Sequence, residues 1–155
     1  MQMQMQREIP ASAAAVWQVL GESFGDLTWI PMVTASQLEG ELGVGAQRVC
    51  RLAPSMFSKS GTLRERLVAF DRAGMTFAYE ALELAPGFRH AGNRWSVVAL
   101  GPNRCRVQMH GTFALAGTLW LMSPIVRIMV RRMGAATLRD LERRVTTSDV
   151  AAVPA

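Results

Sequence analysis

The chain has 155 residues, of which 50% are hydrophobic and 19% charged, so we expect one folded domain with a sizeable core rather than a disordered segment. Its 17 basic residues, all arginine except Lys59, outnumber the 12 acidic ones. The basic residues occur singly or in pairs and form no dense basic run, so we expect no nucleic-acid partner. Cys50 and Cys105 are too few and too far apart for a disulfide framework or a zinc site. No metal or organic cofactor is expected.

The chain start and the most apolar segment bear on targeting. MQMQMQREIP has no charged region followed by an apolar one, so it predicts no signal peptide. The segment TLWLMSPIVRIMVRRM, residues 118–133, is interrupted by Pro124 and Arg127 and is too short to span a bilayer. We therefore expect a soluble, cytoplasmic protein without stable membrane insertion.

Residues 1–9 alternate strictly and predict a first strand with Met3, Met5 and Ile9 on one face. A short helix is expected next, with Ser12 as its N-cap and Gly21 at its end. Its apolar stripe consists of Ala13, Val16, Trp17 and Leu20. A turn-rich link at 22–31 follows.

The next part of the chain predicts six strands, at 34–40, 46–52, 60–70, 75–83, 91–100 and 104–115. The turns between them are rich in glycine and proline and lie at 43–45, 53–55, 71–74, 86–87 and 101–103. Spacing this regular favours an antiparallel meander.

A long amphipathic helix is expected at the end, starting at Ser123-Pro124 or one to two turns earlier at Thr118. Its apolar stripe is predicted to be Ile125, Ile128, Met129, Met133, Ala136 and Leu141, with arginines on the other face. Residues 1–147 are predicted to form the single domain, and residues 148–155 a flexible tail.

This order predicts an α+β fold in which a curved antiparallel sheet of about seven strands wraps around the C-terminal helix. The sheet must cover its apolar face, and only that helix is long enough to do so. A sheet curved around one helix encloses a cavity unless bulky side chains fill it.

The stretch LRERLVAFD, residues 63–71, carries an unusual feature. Its alternation places Leu63, Glu65, Leu67 and Ala69 on the apolar side. A buried carboxylate is costly without a partner. Arg48, Cys50 and Leu52 share the inner face of the preceding strand, and one plausible register places Arg48 opposite Glu65. The sequence does not fix that register, and such a pair would either hold the cavity wall or contact a ligand.

The same parity gives candidate lining residues on the other strands and on the helix. The candidate ligand-binding set is Arg48, Cys50, Glu65, Phe77, Tyr79, Asn93, Trp95, Met109, Phe113, Met129, Met133 and Thr137. Tyr79, Asn93 and Thr137 are polar points in an apolar lining and would orient a ligand. In the alternative interpretation, Tyr79 and Thr137 bond nearby backbone and the methionines only fill the core. Glu65 and Tyr79 are the candidate catalytic residues.

The two histidines have different predicted positions. His110 falls on the outer face of its strand with Arg106, Gln108 and Thr112. His90 follows Pro86-Gly87 and is expected in a loop near the cavity mouth, where an ordinary loop residue is favoured over a gate or a catalyst.

Several phrases, in this order and spacing, resemble the SRPBCC superfamily, also called START-like or Bet v 1-like, and within it the polyketide cyclase/dehydrase and lipid-transport branch. The phrases are IPASAAAVWQVLGESFGDLTWIP at 9–31, ELGVGAQRV at 41–49, RERLVAFD at 64–71, MTFAYE at 75–80 and NRWSVVALGPNRCRVQMHGTF at 93–113. The resemblance covers residues 1 to 146 and implies a helix-grip fold with a hydrophobic pocket between sheet and helix. Related sequences often have Trp-His-Pro where this chain has Trp29-Ile30-Pro31. In plant abscisic acid receptors, a glutamate in a phrase similar to Glu65-Arg66-Leu67 lines the ligand pocket.

Three functions remain open at this stage. The first is a carrier or binding protein for a hydrophobic, polyketide- or lipid-like molecule. The second is a cyclase/dehydrase-type enzyme in which Glu65 or Tyr79 moves a proton. The third is a membrane-surface protein that uses residues 118–133 as an interfacial helix. The oligomeric state is left open.

Overall fold

The structure, a computed structural model, describes residues 1–54 and 61–151, with side chains up to residue 148. It contains, in chain order, β1 Gln2–Ile9, α1 Ala13–Trp17, a π-helical turn Gln18–Glu22, β2 Val33–Glu39, β3 Gln47–Leu52, β4 Gly61–Asp71, β5 Thr76–Ala81, β6 Phe88–Gly101, β7 Arg104–Leu115, a 3₁₀ turn Gly117–Trp120 and α2 Ser123–Ala151. The predicted order of strand, short helix, six strands and long helix is confirmed.

The seven strands form one antiparallel sheet in the order β1-β7-β6-β5-β4-β3-β2. Strands β2 to β7 follow one another as a meander, and β1 closes onto β7, with Met3 opposite Gly111 and Ile9 opposite Cys105. The main core lies between this sheet, α1 and α2. Its fully buried members include Ile9, Leu67, Val107 and Leu141.

The start of the chain folds as its sequence pattern predicts. Met3 and Ile9 point into the interior, and the Ser12 hydroxyl caps α1 by accepting a hydrogen bond from Ala15 N at 3.1 Å. The helical segment does not end at Gly21 but continues to Glu22. Gly21 packs under Trp17, and a Cβ added there would lie 2.5 Å from the indole ring.

Strand β6 begins earlier than expected, at Phe88 rather than at residue 91. It pairs with β7 over its whole length, starting with Phe88 opposite Leu115. His90 therefore lies in a strand, and the prediction that it sits in a loop is wrong. The predicted turn at 53–55 and the predicted start of β4 at residue 60 extend into residues 55–60, outside the described residues.

The long helix packs through a different face from the one predicted. Ile125, Ile128, Met129 and Met133 are between 50% and 61% exposed. The inward stripe consists instead of Val126, Val130, Gly134, Leu138, Leu141 and Val145. Of the predicted stripe, Leu141 is buried and Ala136 is partly buried.

Gly134 lies on the side of α2 that faces the sheet. A Cβ at Gly134 would collide with the Met5 Cε methyl and would lie 2.6 Å from Met109 Cε, so this side of the helix packs against methionines of β1 and β7. Because residues 125–133 are apolar on both sides of the helix, periodicity alone could not choose between the faces.

The ends of α2 also differ from the prediction. Val126 N donates to Met122 O at 3.1 Å, so Met122 takes the N-cap position, and Ser123, the predicted N-cap, is the first residue of the helix. The helix continues to Ala151, into the segment predicted to be a tail, and residues 152–155 are outside the described part. Within the described ranges, no helix is long and apolar enough to cross a membrane.

Candidate functional site

A cavity of about 280 Å³ lies between the sheet and α2. Strands β3 to β7 form its floor, the loop containing Trp29 and Met32 forms one side, and α2 closes it with Val130, Met133 and Gly134. Its volume is near the lower end of the range for ligand sites, about 300–1,000 Å³. Met32 and Met133 line the cavity and are 43% and 52% exposed, so they mark its mouth.

Arg48 and Glu65 form an ion pair on the cavity floor. They are directly opposed residues of β3 and β4, which confirms the predicted register. Arg48 Nε donates to Glu65 Oε2 at 2.8 Å, and Arg48 Nη2 bonds the same oxygen. Both residues are buried, at 3% and 6% exposure. The buried carboxylate in LRERLVAFD is therefore paired, and this offsets its desolvation.

The guanidinium of Arg48 also contacts a backbone carbonyl and two aromatic rings. Its Nη1 donates to the Phe24 carbonyl oxygen at 2.8 Å. Its Cζ lies 4.0 Å from the ring centre of Phe24 and 5.0 Å from that of Tyr79, within the range of cation–π attraction. Each of its three nitrogens has a partner and Glu65 balances its charge, so Arg48 is held in place and is not an unpaired cation.

Tyr79 and Asn93 form a second polar pair in the cavity. They are opposed on β5 and β6, and Asn93 Nδ2 donates to Tyr79 Oη at 3.1 Å. Burial, reinforced by the negative charge of Glu65, raises the pKa of Tyr79 to about 12. The hydroxyl thus stays protonated at neutral pH. Among the described residues no acceptor receives its proton, so it is available to a ligand oxygen.

Aromatic rings cover much of the remaining wall. Phe77 stacks on Trp95 with ring centres 6.4 Å apart and an interplanar angle of 11°, and on Tyr79 at 6.2 Å and 20°. Phe24 packs edge-on against Phe77 at 5.6 Å. Phe77, Tyr79 and Trp95 thus give the cavity a largely aromatic wall.

Most of the predicted lining residues surround this cavity. Those that line it are Arg48, Glu65, Phe77, Tyr79, Asn93, Trp95, Met109, Met133 and Thr137. Thr137 donates its hydroxyl to Met133 O at 3.0 Å, which matches the alternative that it bonds nearby backbone. Whether any of these residues contacts a ligand stays a prediction.

Three predicted lining residues lie elsewhere. Cys50 points inward but is covered, with its sulfur 3.3 Å from Ser36 Oγ on the neighbouring strand. Phe113 packs with Met3 and Val126 in a separate apolar cluster near the start of α2. Met129 is half-exposed on the outer side of α2, because the helix is rotated relative to the prediction.

The remaining titratable candidates lie away from the cavity. His90 is exposed, with Nε2 3.3 Å from Thr112 Oγ1, and does not line the cavity. His110 is exposed on the outer face, as predicted. Burial raises the pKa of the Cys50 and Cys105 thiols, which makes them poor nucleophiles at neutral pH. No group of three His, Cys, Asp or Glu side chains in the described ranges is arranged to hold a metal ion.

The loop after the π-helical turn contributes lining residues that the sequence reasoning missed. Leu27, Trp29, Ile30 and Met32 face the cavity, next to Leu20 from the preceding turn and Val33 at the start of β2. Connecting loops normally lie on the surface, so a loop with this many apolar residues indicates that it covers a cavity.

The fold is shared with solved structures of low sequence identity. The Zhui aromatase/cyclase from Streptomyces sp. R1128 is 20% identical, with a TM-score of 0.75, 94% of this chain covered and 93% of that chain. A START superfamily protein from Mycobacterium smegmatis is 17% identical, with a TM-score of 0.73 and 94% and 97% covered. Norcoclaurine synthase from Thalictrum flavum, in complex with dopamine and hydroxybenzaldehyde, is 16% identical, with a TM-score of 0.71 and 95% and 87% covered.

Among curated proteins, none matches this chain. The family described as polyketide cyclase / dehydrase and lipid transport matches residues 1–146, nearly the whole domain. This extent agrees with the START-like helix-grip architecture of the sheet and α2. The chain belongs to the polyketide cyclase/dehydrase and lipid-transport family.

Proposed function

We propose that this protein binds a small, uncharged, ring-containing molecule in the cavity between the sheet and α2, as a binding or carrier protein. The observation that carries the proposal is the aromatic cavity wall with one protonated hydroxyl, that of Tyr79, set into it. Apolar walls supply the affinity, and a few fixed polar groups supply the orientation.

The charges of the site argue for an uncharged ligand. Arg48 and Glu65 neutralise each other, and the Arg48 nitrogens already have partners. A ligand carboxylate or ammonium group would therefore lose its hydration without gaining a free counter-charge. The Tyr79 hydroxyl instead suits a carbonyl or phenol oxygen as acceptor.

The size of the cavity argues for a small ligand. Its volume of about 280 Å³ lies just below the usual range of ligand sites, about 300–1,000 Å³. This suits one or two rings rather than a long acyl chain, unless the chain leaves through the mouth at Met32 and Met133. The norcoclaurine synthase that shares the fold is a complex with two small aromatic molecules, which supports this size class.

A cyclase/dehydrase-type enzyme is the second candidate, because Tyr79 and Glu65 line the same cavity. Tyr79 would donate a hydrogen bond to a substrate carbonyl and stabilise negative charge on its oxygen, since its raised pKa keeps the proton in place. Glu65 would move the proton, but its Oε2 is bonded twice by Arg48, which opposes that role. The resemblance of the fold to an aromatase/cyclase supports this candidate.

Titration with prodan, an uncharged naphthalene dye that carries a ketone, tests the binding proposal by fluorescence. Gly134 lines the cavity, so Gly134→Leu takes up part of its volume and displaces the neighbouring Met109 methyl, which predicts about tenfold weaker binding. Ala135→Leu, an exposed neighbour on the same helix, is the matched control and should bind like wild type. Equal binding by wild type and Gly134→Leu would contradict the proposal.

Tyr79→Phe tests the hydroxyl and separates the two candidate functions. Loss of one hydrogen bond of ~1 kcal/mol predicts about fivefold weaker prodan binding. Product formation from a poly-β-ketone thioester, followed by mass spectrometry, then decides between carrier and enzyme. Turnover by wild type that is lost in Tyr79→Phe and Glu65→Gln, with the dye still bound, would favour the enzyme.

A further inference from the structure

The outer side of the first half of α2 and the turn before it form an exposed apolar surface, here called the α2 patch. It consists of Trp120, Leu121, Met122, Ile125, Ile128, Met129 and Met133, each at least 50% exposed. Single exposed apolar residues are common, but a contiguous group of this kind marks an interaction site.

The second half of the same helix shows that this exposure is local. There the solvent side carries Arg139, Arg143 and Arg144, as expected of a surface helix. In the first half, Val126 and Val130 face the interior while apolar residues also face outward. Because apolar residues are exposed on this half although its other side packs against the sheet, this half lacks an apolar partner within the described chain.

The charges around the α2 patch indicate what covers it. Arg127, Arg131 and Arg132 are exposed among its residues. The sequence contains no aspartate or glutamate between Glu83 and Asp140, so no acidic side chain on this helix half neutralises them. An apolar surface interleaved with arginines complements the apolar interior and anionic headgroups of a lipid bilayer.

Two further features agree with a lipid surface. Trp120, 67% exposed, stands at the edge of the patch, and tryptophan favours the membrane–water interface. Met133 belongs both to the patch and to the cavity lining, so the patch borders the cavity mouth. A second copy of the chain is a poorer partner, because a two-fold interface would set the same arginines against one another.

We propose that the α2 patch docks this protein on an anionic membrane surface, with the cavity mouth facing the bilayer. The helix lies in the plane of the interface and does not span it. An uncharged ligand dissolved in the bilayer then reaches the cavity past Met133. This last step rests on the proposed binding function, whereas docking itself does not.

Flotation with vesicles tests the docking. Wild type should float with equimolar phosphatidylcholine and phosphatidylglycerol at low ionic strength, and much less with phosphatidylcholine alone or at high salt. The combined change Leu121→Ser, Ile125→Ser and Ile128→Ser should abolish flotation. Brominated lipids should quench Trp120 fluorescence, and Trp120→Phe should remove that quenching.

The charge contribution has a matched control on the same helix. Replacing Arg127, Arg131 and Arg132 with Gln should weaken binding by roughly fivefold per residue, about 100-fold in all. The same exchange at Arg139, Arg143 and Arg144 removes equal charge outside the patch and should change binding less than about threefold, since only charges held near the surface contribute strongly. An equal loss in both triple variants would show unspecific attraction and overturn the proposal.

Two other results would also overturn it. One is no flotation of wild type at low ionic strength. The other is a dimer that the triple serine variant converts to a monomer in sedimentation, which would make a second copy the partner. Prodan binding without vesicles separates the two proposals. Dye binding without flotation would contradict only the docking proposal. Flotation without dye binding would argue against only the proposed binding function of the cavity.

Discussion

The buried pair of Arg48 and Glu65 gives the sharpest stability prediction. Glu65→Gln removes the negative charge and leaves Arg48, only 3% exposed, with the Phe24 carbonyl and two aromatic rings as partners. Removing one partner of a buried pair costs ~3–5 kcal/mol. Because Arg48 keeps these contacts and glutamine still offers an oxygen, we expect the free energy of unfolding to fall by about 2–4 kcal/mol.

Replacing both residues distinguishes the cost of a single unpaired charge from the contribution of the pair. The double variant Arg48→Met with Glu65→Leu leaves no buried charge, so its stability should lie within ~1 kcal/mol of wild type, or above it. Glu80→Gln is the matched control, since Glu80 pairs with Arg66 across β4 and β5 at the surface, with side chains 31% and 46% exposed. That exposed pair should contribute less than about 1 kcal/mol.

Urea denaturation measures these differences. The midpoint should shift strongly for Glu65→Gln and slightly for Glu80→Gln, with unchanged slopes. A loss of stability in Glu65→Gln no larger than that in Glu80→Gln would refute the role of the buried pair. A double variant less stable than Glu65→Gln would refute it as well.

Three further predictions use the ionisable groups and the packing. Tyr79 is the lone tyrosine, so tyrosinate absorbance should report a pKa of about 12 in the native protein against ~10 in urea. Because the pKa of Tyr79 is higher in the folded than in the unfolded protein, its contribution to stability is complete below pH ~10. As the pH rises towards about 12, the free energy of unfolding falls by up to ~1.4 kcal/mol per pH unit. A native titration near pH ~10 would contradict this. Burial covers Cys50 and Cys105 and raises the pKa of both thiols. At neutral pH they should therefore react with alkylating reagents only as fast as the protein opens. Immediate labelling would show that one of them is accessible. Gly21→Ala should lower the free energy of unfolding, measured in urea, by ~1–3 kcal/mol because the added Cβ meets the Trp17 ring. Gly101→Ala, with open space around it, should be nearly neutral. Equal effects of the two changes would argue against this packing.

The polar floor of the cavity could be predicted because it follows from local rules. Alternation along β4 placed Glu65 inside, and the polar character of the opposite face of β3 placed Arg48 inside. A hairpin between the two strands then allowed their pairing, which the structure shows. Tyr79 and Asn93 also followed from parity, although their mutual hydrogen bond did not.

Features set by the tertiary structure could not be predicted in this way. A β-bulge between Leu67 and Ala69 breaks the alternation and brings Phe70 against Trp17, with ring centres 5.6 Å apart. The orientation of α2, with Gly134 against Met5 and Met109, could not be predicted because the sequence is apolar on both sides there. Both effects need the partner element in place, and neither leaves a periodic signal in the sequence.

Native mass spectrometry of the protein purified from its own host tests the central claim most directly. We expect that wild type and Ala135→Leu carry a small uncharged molecule, and that Gly134→Leu, with its cavity narrowed, carries much less of it. Equal occupancy by the same bound mass in Gly134→Leu would place the ligand elsewhere. Wild-type protein that carries no molecule and also fails to bind prodan would contradict a ligand-binding cavity.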